Sequence, residues 1–363
     1  MVNATRNTQH TAMDIKEFTK TELETWLLER GERPFHARQA LKWIYQKGAT
    51  SFTEMTDLSA SLRALFSQEF TIARSTRTHV APAVDGTRKF LFTLTDQRRI
   101  ESVLIPMEDR LTLCVSSQVG CAMGCRFCAT AQVRPVRDLT AGEIVNQIWE
   151  VQQSLPPGEH LTNLVFMGMG EALANFHPVV KALSTITAEW GFNFSPRRVT
   201  VSTVGLVPQM RQLLEETQVN LTVSLSATTN RQRDDLMPVN RRYPLEQLLE
   251  TCRNLPIAPR KRLTFAYTML DTVNDSEEDA RRLVRLLHGL RAKVNLIPFN
   301  PFPEAPFLPT PRPRIEQFRQ ILLDKGVHAT IRESRGQDVQ GACGQLAASY
   351  PGPCLEPQQE ELS

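Results

Sequence analysis

The chain has 363 residues and a formal net charge of +3, from 42 Lys plus Arg against 39 Asp plus Glu. Hydrophobic residues make up 41% and charged residues 22%, which excludes a disordered or fibrous protein. The N-terminus has no apolar core and no run of 18 apolar residues occurs, so neither a signal peptide nor membrane binding is predicted. Seven cysteines, an odd number, fit a reducing cytoplasm better than a disulfide framework.

The first part of the chain predicts a tail followed by a small helical domain. Residues 1–13 read as disordered, and apolar residues recur at helical spacing over 14–48, with a third helix near 58–69. We therefore expect a helical domain over 14–75. Its basic residues could touch a phosphate backbone or could simply form a solvated face. These residues are Arg30, Arg33, Arg38, Lys42 and Lys47.

The next segment predicts β structure, and the remainder predicts alternating strands and helices. Residues 87–96 and 98–106 read as two strands, so 76–106 is expected to form a β-hairpin extension. Strands are then predicted at 111–117, 163–168, 198–203, 220–225, 263–270, 293–299 and 328–334. Helices between them are predicted at 139–155, 178–190, 207–216, 244–254, 275–290 and 314–325. Six βα units imply an α/β fold with a parallel sheet, open or closed into a barrel, over 107–335.

Polar residues collect where these predicted strands end. A cysteine cluster follows the first strand, "GMGE" (168–171) follows the second, and Ser202 ends the third. Ser224 ends the fourth strand and Asn300 follows the sixth. Since the carboxyl ends of parallel strands meet at one edge, we expect these groups to share one mouth.

The cysteine cluster has the spacing C-x-x-x-C-x-x-C, at Cys121, Cys125 and Cys128. Structural zinc normally takes four protein ligands, and no second cysteine pair is present, although Cys114 could supply one ligand from an apolar strand. Three ligands better suit a [4Fe–4S] cluster with one open iron. Zinc and buried structural thiols remain the alternatives.

This cysteine motif, on the loop after the first barrel strand, resembles that of radical S-adenosylmethionine (SAM) enzymes. The resemblance implies that SAM occupies the open iron and is cleaved to a 5′-deoxyadenosyl radical. "GMGE" is similar to the glycine-rich SAM contact of that superfamily. A glycine turn beside a surface Glu would be the plain interpretation of this tetrapeptide alone.

Longer segments resemble the RlmN/Cfr family of bacterial RNA adenine methyltransferases, from about residue 14 to 349. These segments are "LCVSSQVGCAMGCRFCATAQ", "FMGMGEALANF", "DLMPVNRRYPL", "YTMLDTVNDS", "KVNLIPFNPFPEAPF" and "ACGQLA". The resemblance implies a partial (βα)6 radical SAM barrel with the N-terminal helical domain and β-hairpin extension. It also implies methylation of adenine C2 in 23S rRNA and, in dual-specificity members, of the adenosine 3′ of a tRNA anticodon. A monomer and an electron donor such as flavodoxin or ferredoxin are expected.

The resemblance assigns roles to residues of this chain. Cys343, in the C-terminal segment 336–363, would carry a methyl group as S-methylcysteine, and Cys114 would resolve a covalent protein–RNA adduct by a transient disulfide. Glu101 would be the proton acceptor, and two SAM molecules would be used per turnover. The implied SAM contacts are Gly170, Glu171, Ser202, Ser224, Leu225, Ser226 and Asn300. Without the resemblance, Cys343 would read as a buried small residue and Glu101 as an exposed strand residue.

Two positions depart from the family pattern. Ala172 follows "GMGE" where the family commonly has Pro, and Ser226 stands where it commonly has His. "GMGEALAN" is similar to the C8-methylating resistance branch, whereas "IPFNPFPEAPF" and the segment around Glu101 follow the C2 branch, which we favour. The competing hypotheses are a non-catalytic, metal-containing RNA-binding protein and a radical SAM enzyme acting on a small molecule.

Overall fold

The N-terminal part of the chain folds into three helices. In the computed structural model, which describes residues 12–258, 261–303 and 305–346, these are α1 (Lys20–Leu28), α2 (Phe35–Tyr45) and α3 (Ala60–Glu69). Thr19 begins α1 with a capping box, because its side chain accepts from the Glu22 amide and Glu22 accepts from the Thr19 amide. The predicted small helical domain is confirmed.

A short parallel strand pair closes this domain. It joins β1 (Met13–Asp14) to β2 (Phe70–Thr71), so the predicted tail is wrong at its last residue, Met13; residues 1–11 lie outside the described part of the chain. Trp26 packs on Phe66 and Phe70 at ring-centroid distances of 5.7 and 4.6 Å. These aromatic rings are the centre of the domain's core.

The rest of the chain is organised on one ten-stranded sheet. Its antiparallel edge contains β3 (Thr76–Pro82), β4 (Arg88–Thr93) and β5 (Arg99–Met107), and β5 pairs with β6 (Arg110–Cys114). A separate short pair, β7 (Gln118–Val119) and β8 (Arg137–Asp138), follows β6. The further parallel strands are β9 (Asn163–Phe166), β10 (Val199–Thr203), β11 (Asn220–Ser224), β12 (Leu263–Met269), β13 (Ala292–Pro298) and β14 (His328–Ile331).

Helices connect the parallel strands. They are α4 (Ala141–Gln153), α5 (Phe176–Thr187), α6 (Val207–Glu216), α7 (Asn230–Leu236), α8 (Leu245–Arg253), α9 (Glu277–Leu287) and α10 (Arg312–Asp324). The parallel part of the sheet runs β6-β9-β10-β11-β12-β13-β14, and among the described residues no pairing joins β14 back to the opposite edge. The partial (βα)6 barrel is confirmed. No helix of the described residues is both long and apolar enough to cross a bilayer.

The β-hairpin extension differs from the prediction in having three strands. Strand β3 was not expected, because "TRTHVAP" is polar, exposed over its first half and without apolar alternation. It is the edge strand of the sheet and pairs with β4 alone. Since β5 pairs directly with β6, the extension continues the barrel sheet without a break at the predicted boundary at 106.

A buried lysine lies between the helical domain and α4. Lys16 is 1% exposed, and its ammonium donates to the Ala73 carbonyl at 2.6 Å and to the Asn146 side chain at 2.5 Å. It lies 4.4 Å from the ring centroid of Trp149, whose indole N–H donates to the Ile44 carbonyl at 2.8 Å. These contacts attach the helical domain to the first barrel helix.

Candidate active site

The three clustered cysteines line one cavity at the carboxyl ends of the parallel strands. This first cavity has a volume of about 160 Å³ and is also lined by Gly170, Glu171, Ser202 and Ser224. The cysteine loop follows β6 and turns at Gly120, where φ is +71° and a Cβ atom would lie 2.5 Å from the Val133 carbonyl oxygen. These residues from the ends of different strands therefore lie together at one edge of the sheet, as the sequence predicts.

The set of donors at this cavity favours one kind of metal site over another. Among the described residues, no three His, Cys, Asp or Glu side chains lie close enough together to hold a single metal ion. A tetrahedral zinc would need its sulfurs about 3.8 Å apart, since Zn–S bonds are about 2.3 Å. A [4Fe–4S] cluster binds each cysteine to a different iron, which separates the sulfurs further. Cys121, Cys125 and Cys128 line one cavity, and three cysteines suit a cluster with one open iron better than a zinc site that takes four protein ligands.

Burial disfavours the ionised form of the same three thiols. Burial raises the pKa of Cys121 to about 12 and raises the pKa values of Cys125 and Cys128 above the ordinary range. Iron coordinates the thiolate form, so metal binding at this loop must displace protons. The donor set and its enclosure therefore fit a tightly bound cluster.

The glycine-rich turn after β9 packs directly on the segment that leads into the cysteine loop. A Cβ atom on Gly170, where φ is +101°, would lie 2.6 and 2.7 Å from Cβ and the amide nitrogen of Gln118. A Cβ atom on Gly168 would lie 2.7 Å from the Val115 carbonyl oxygen. Both positions therefore require glycine for close backbone approach, whichever ligand contacts the turn.

Glu171 is 4% exposed and is tied to the neighbouring strand end. Its carboxylate accepts from the amides of Leu173 at 3.1 Å and Val204 at 2.8 Å, and its own amide donates to the Gln118 side chain at 2.8 Å. Burial raises the pKa of Glu171 to about 7, and the hydrogen bond from Val204 opposes that change. A buried acceptor at the cavity wall suits a cationic or N–H-bearing ligand group.

Cys343 lies at the junction of two cavities. It lines the first cavity with the clustered cysteines, and it lines a second cavity of about 270 Å³ together with Cys114. Arg332 and Met167 also line both cavities, and the Arg332 guanidinium donates to the Met167 sulfur at 3.2 Å. Cys343 is thus the cysteine that faces both the clustered thiols and Cys114.

Hydrogen bonds hold the segment around Cys343 on both sides. The Gly344 carbonyl accepts from the Ala129 amide at 2.7 Å, so the segment is attached to the cysteine loop. On the other side, the Asn300 side chain donates to the Cys343 carbonyl at 3.1 Å and the Gln345 side chain donates to the Pro301 carbonyl at 2.7 Å. The position of Cys343 is set by contacts to both the cysteine loop and the loop after β13.

Cys114 and Glu101 share one face of the sheet. Val103 pairs with Cys114 on β6 and with Lys89 on β4, and directly paired antiparallel residues project to the same side. Glu101 is two residues from Val103 and therefore points to that side as well. Glu101 is 1% exposed, rather than the exposed strand residue of the plain interpretation, and its carboxylate lies 3.0 Å from the Lys89 ammonium. Burial, with a smaller effect from Cys343, raises the pKa of Cys114 to about 12.

Three predicted SAM contacts are placed outside the first cavity. Leu225 and Ser226 are buried and line neither cavity; the Ser226 hydroxyl accepts from the Thr268 amide at 3.2 Å. Asn300 lines the second cavity, and its amide group is bonded to Cys343 and Gln337. Their contact with SAM stays a prediction, as does the resolving role of Cys114, which is a free thiol here like Cys343.

Sequence reasoning did not single out Arg332, Gln118 or Arg233. Arg332 follows β14, so its strand-end position was a usable signal. Gln118 and Arg233 are buried polar residues that act through contacts to other loops, for which the sequence carries no periodic signal. Cys252 is buried on α8 and lines neither cavity, and Cys354 lies outside the described residues.

Two family models match separate parts of the chain. Residues 13–72 match the ribosomal RNA large subunit methyltransferase N-terminal domain, and residues 115–284 match the radical SAM superfamily. Residues 115–284 include all three clustered cysteines, the glycine turn and the ends of β10 and β11. A crystal structure of a radical SAM methyltransferase from Sphaerobacter thermophilus superimposes with a TM-score of 0.88 at 44% identity, covering 93% of this chain and all of that one.

Curated relatives are similar over nearly the full length. The dual-specificity RNA methyltransferase RlmN of Syntrophotalea carbinolica is 50% identical over 93% of this chain and 90% of that protein. The protein of the same name from Geobacter sulfurreducens is 49% identical over 93% of this chain and 92% of that protein. At this identity and coverage, the chain belongs to the RlmN family of radical SAM RNA methyltransferases.

Proposed function

We propose that this protein is a dual-specificity methyltransferase that methylates C2 of an adenosine in 23S rRNA and C2 of the adenosine 3′ of the anticodon in tRNAs. One observation carries the proposal: Cys343 lines both the cavity of the clustered cysteines and the cavity of Cys114. A methyl carrier needs access both to the source of the radical and to the RNA base. The junction of the two cavities is where such a carrier has to lie.

Radical SAM enzymes use a [4Fe–4S] cluster and SAM, and the residues present fit both. Cys121, Cys125 and Cys128 would hold the cluster, which supplies one electron for the cleavage of SAM. The turn at Gly170 and Glu171 would receive the SAM ammonium, for which the buried carboxylate is a suitable acceptor. Ser202 and Ser224 line the same cavity and are available for further polar contacts.

The second cavity would receive the adenine. Cys343 would accept a methyl group on its sulfur from one SAM molecule, while a second SAM molecule serves as the radical source. Cys114, which lines the same cavity, would attack the Cys343 sulfur and form a disulfide with it. The bond between that sulfur and the methylene carbon would break, and the carbon would keep the electron pair and take a proton to become the methyl group of the product. Glu101 would accept the proton lost from the base, a role supported by its position on the same sheet face as Cys114.

The adenosine must be unstacked to enter this cavity, so the RNA is bound as a loop or with the base flipped. We propose that the helical domain over 14–75, the extension over 76–106, the barrel over 107–335 and the segment from 336 form the functional units. Some basic residues of the helical domain are already engaged, since Arg38 and Lys42 pair with Glu189. A monomeric, cytoplasmic enzyme reduced by a flavodoxin or ferredoxin completes the proposal.

The experiment is nucleoside mass spectrometry of RNA from cells that lack their own enzyme and express this chain. We expect 2-methyladenosine in 23S rRNA and in tRNA, digested separately. The Cys343→Ala variant should yield none while retaining the iron content of the parent protein. Equal loss of iron and activity in this variant would contradict a carrier role.

The other outcomes separate the competing functions. The C8 product, 8-methyladenosine, would place the protein in the resistance branch. Product in rRNA alone would remove the tRNA half of the proposal. A colourless protein with no product would support a non-catalytic RNA-binding protein, and an iron-loaded protein with no methylated nucleoside would support a small-molecule substrate.

A further inference from the structure

We propose that Arg233 is a positioning residue that places a buried positive charge beside the cysteine-bound cluster and thereby raises the cluster's reduction potential. The inference rests on the proposed function, because it requires a cluster at the three clustered cysteines. It concerns a residue that touches neither cavity and that acts through the cysteine loop and the ends of two strands.

Arg233 is wholly buried, with 0% of its surface exposed. Its guanidinium donates to the Val204 carbonyl at 2.6 Å, to the Ser224 and Leu225 carbonyls at 3.3 Å each, and to the Asn240 side-chain oxygen at 3.1 Å. Each acceptor is neutral. These bonds solvate the guanidinium without neutralising its charge.

Within the described residues, no carboxylate forms an ion pair with this guanidinium. The adjacent Asp234 accepts a hydrogen bond from Asn240 at 2.7 Å, and its charge offsets the burial of Arg233 less than other groups do. Other buried cations of this chain do have acidic partners, as Lys89 has Glu101. Burying an arginine without a counter-charge is costly, so an additional partner of negative charge is expected at this place.

The cysteine loop is the element that can supply that negative charge. Helix α7, which carries Arg233, is joined to the loop by a hydrogen bond from the Arg126 amide to the Leu236 carbonyl at 3.1 Å. Cys125 packs in one small apolar cluster with Leu236 and Met237. Burial lowers the pKa of Arg233 to about 10, and the largest opposing effect would come from Cys125 in its thiolate form, ahead of Cys252 and Asp234.

A fixed positive charge at this position favours the more negative state of the cluster. Reduction adds one negative charge, and in a site with little water that charge is poorly screened. The hydrogen bond to the Val204 carbonyl also fixes the residue whose amide binds Glu171. Arg233 therefore connects the charge of the cluster site to the position of the proposed SAM acceptor.

The test is an anaerobic redox titration of the full-length, iron-reconstituted protein, followed by electron paramagnetic resonance of the reduced cluster. Arg233→Gln keeps amide N–H donors for the carbonyls but removes the charge. Arg233→Lys keeps the charge but loses the planar set of guanidinium donors. Arg231→Gln changes an exposed arginine of the same helix and is the matched control. We expect Arg233→Gln to lower the ratio of reduced to oxidised cluster about tenfold at a fixed applied potential. This change corresponds to a reduction potential that is lower by about 59 mV for a one-electron couple. Arg233→Lys and Arg231→Gln should stay near the parent value.

Each outcome decides the matter. An unchanged potential in an iron-loaded Arg233→Gln protein overturns the proposal. If Arg233→Gln cannot hold iron but Arg233→Lys can, the charge itself is required and the proposal stands. If both lose iron, the guanidinium serves the geometry alone and the counter-charge role is rejected. Failure of the proposed function would be seen separately, as absence of iron or of methylated RNA in the parent protein.

Discussion

Two regions of this molecule bury positive charge, and they do so differently. At the junction of the helical domain with α4, Lys16 has Asp14 and Glu150 nearby, and both raise its pKa against the larger effect of burial. At the barrel mouth, Arg233 donates hydrogen bonds to carbonyls and forms no ion pair with a carboxylate among the described residues. In the first region the chain itself supplies the acidic groups, whereas we propose that in the second the cofactor supplies the negative charge.

The comparison separates residues that stabilise the fold from residues that hold the cofactor. At the mouth, removal of a group should affect iron and activity more than stability. At the junction, removal of a group should affect stability and its pH dependence while iron loading is retained.

The largest effect is expected from loss of a cluster ligand. Cys125→Ala should contain no stoichiometric [4Fe–4S] cluster and produce no 2-methyladenosine, because only three cysteines are available to hold it. Its free energy of unfolding as apoprotein should fall by only about 1 kcal/mol, since a small buried group is removed. Iron analysis and apoprotein denaturation measure the two quantities. The buried Cys252 on α8 supplies the control, and Cys252→Ala should keep both iron and activity.

A large effect is also expected at the glycine turn. Gly170→Ala forces a Cβ atom to within 2.6 Å of Gln118 at a positive φ, so we expect a loss of about 2–4 kcal/mol together with reduced iron retention. Gly158→Ala has a similar φ of +88° but nothing within 4 Å. It should cost about 1 kcal/mol. Equal destabilisation in the two variants would show that strain, not packing on the cysteine segment, dominates at Gly170.

The junction predicts a pH effect of moderate size. Burial lowers the pKa of Lys16 from 10.5 to about 8, so between these values the unfolded chain binds more protons and stability rises with pH. From pH 7 to 9 the gain should be about 1 kcal/mol relative to Lys16→Met, which lacks the titration. Urea unfolding of both proteins at the two pH values measures this difference. If the difference in free energy of unfolding between the parent protein and Lys16→Met stays constant or falls from pH 7 to 9, the pKa of Lys16 is not lowered.

The smallest effect is expected at an exposed ion pair of the helical domain. Arg38 donates two hydrogen bonds to Glu189, at 2.7 and 2.8 Å, but both side chains are about half exposed, at 51% and 56%. Water and salt screen such pairs, so Arg38→Ala should leave the midpoint of urea unfolding within experimental scatter. A clear drop in that midpoint, with binding of RNA unchanged, would instead show that this pair helps to hold the helical domain in place.

Much of the fold could be predicted because it is encoded locally. The capping box of Thr140 and Glu143 begins α4 inside the predicted helical segment 139–155, and the apolar runs mark each parallel strand. Strand β3 and helix α7 were missed because both are short and polar, so neither has an apolar period. Such elements are specified by their tertiary partners rather than by their own sequence.

The site was predictable where a motif has fixed spacing and not where it depends on register. The clustered cysteines and the turn at Gly170 are contiguous motifs. The shared sheet face of Glu101 and Cys114 depends on the pairing of β5 with β6, which a shift of one residue would reverse. A buried arginine such as Arg233 contradicts the usual exposure of that residue type, so only the structure could identify it.

The central claim is that Cys343 carries the methyl group from one cavity to RNA in the other, with Cys114 completing the transfer. The most direct measurement is peptide mass spectrometry of a Cys114→Ala protein purified from cells with its bound RNA digested to nucleotides. The account predicts a nucleotide attached through a methylene bridge to the peptide containing Cys343. A Cys114→Ala protein that releases 2-methyladenosine at the parent rate and carries no such adduct would contradict the account.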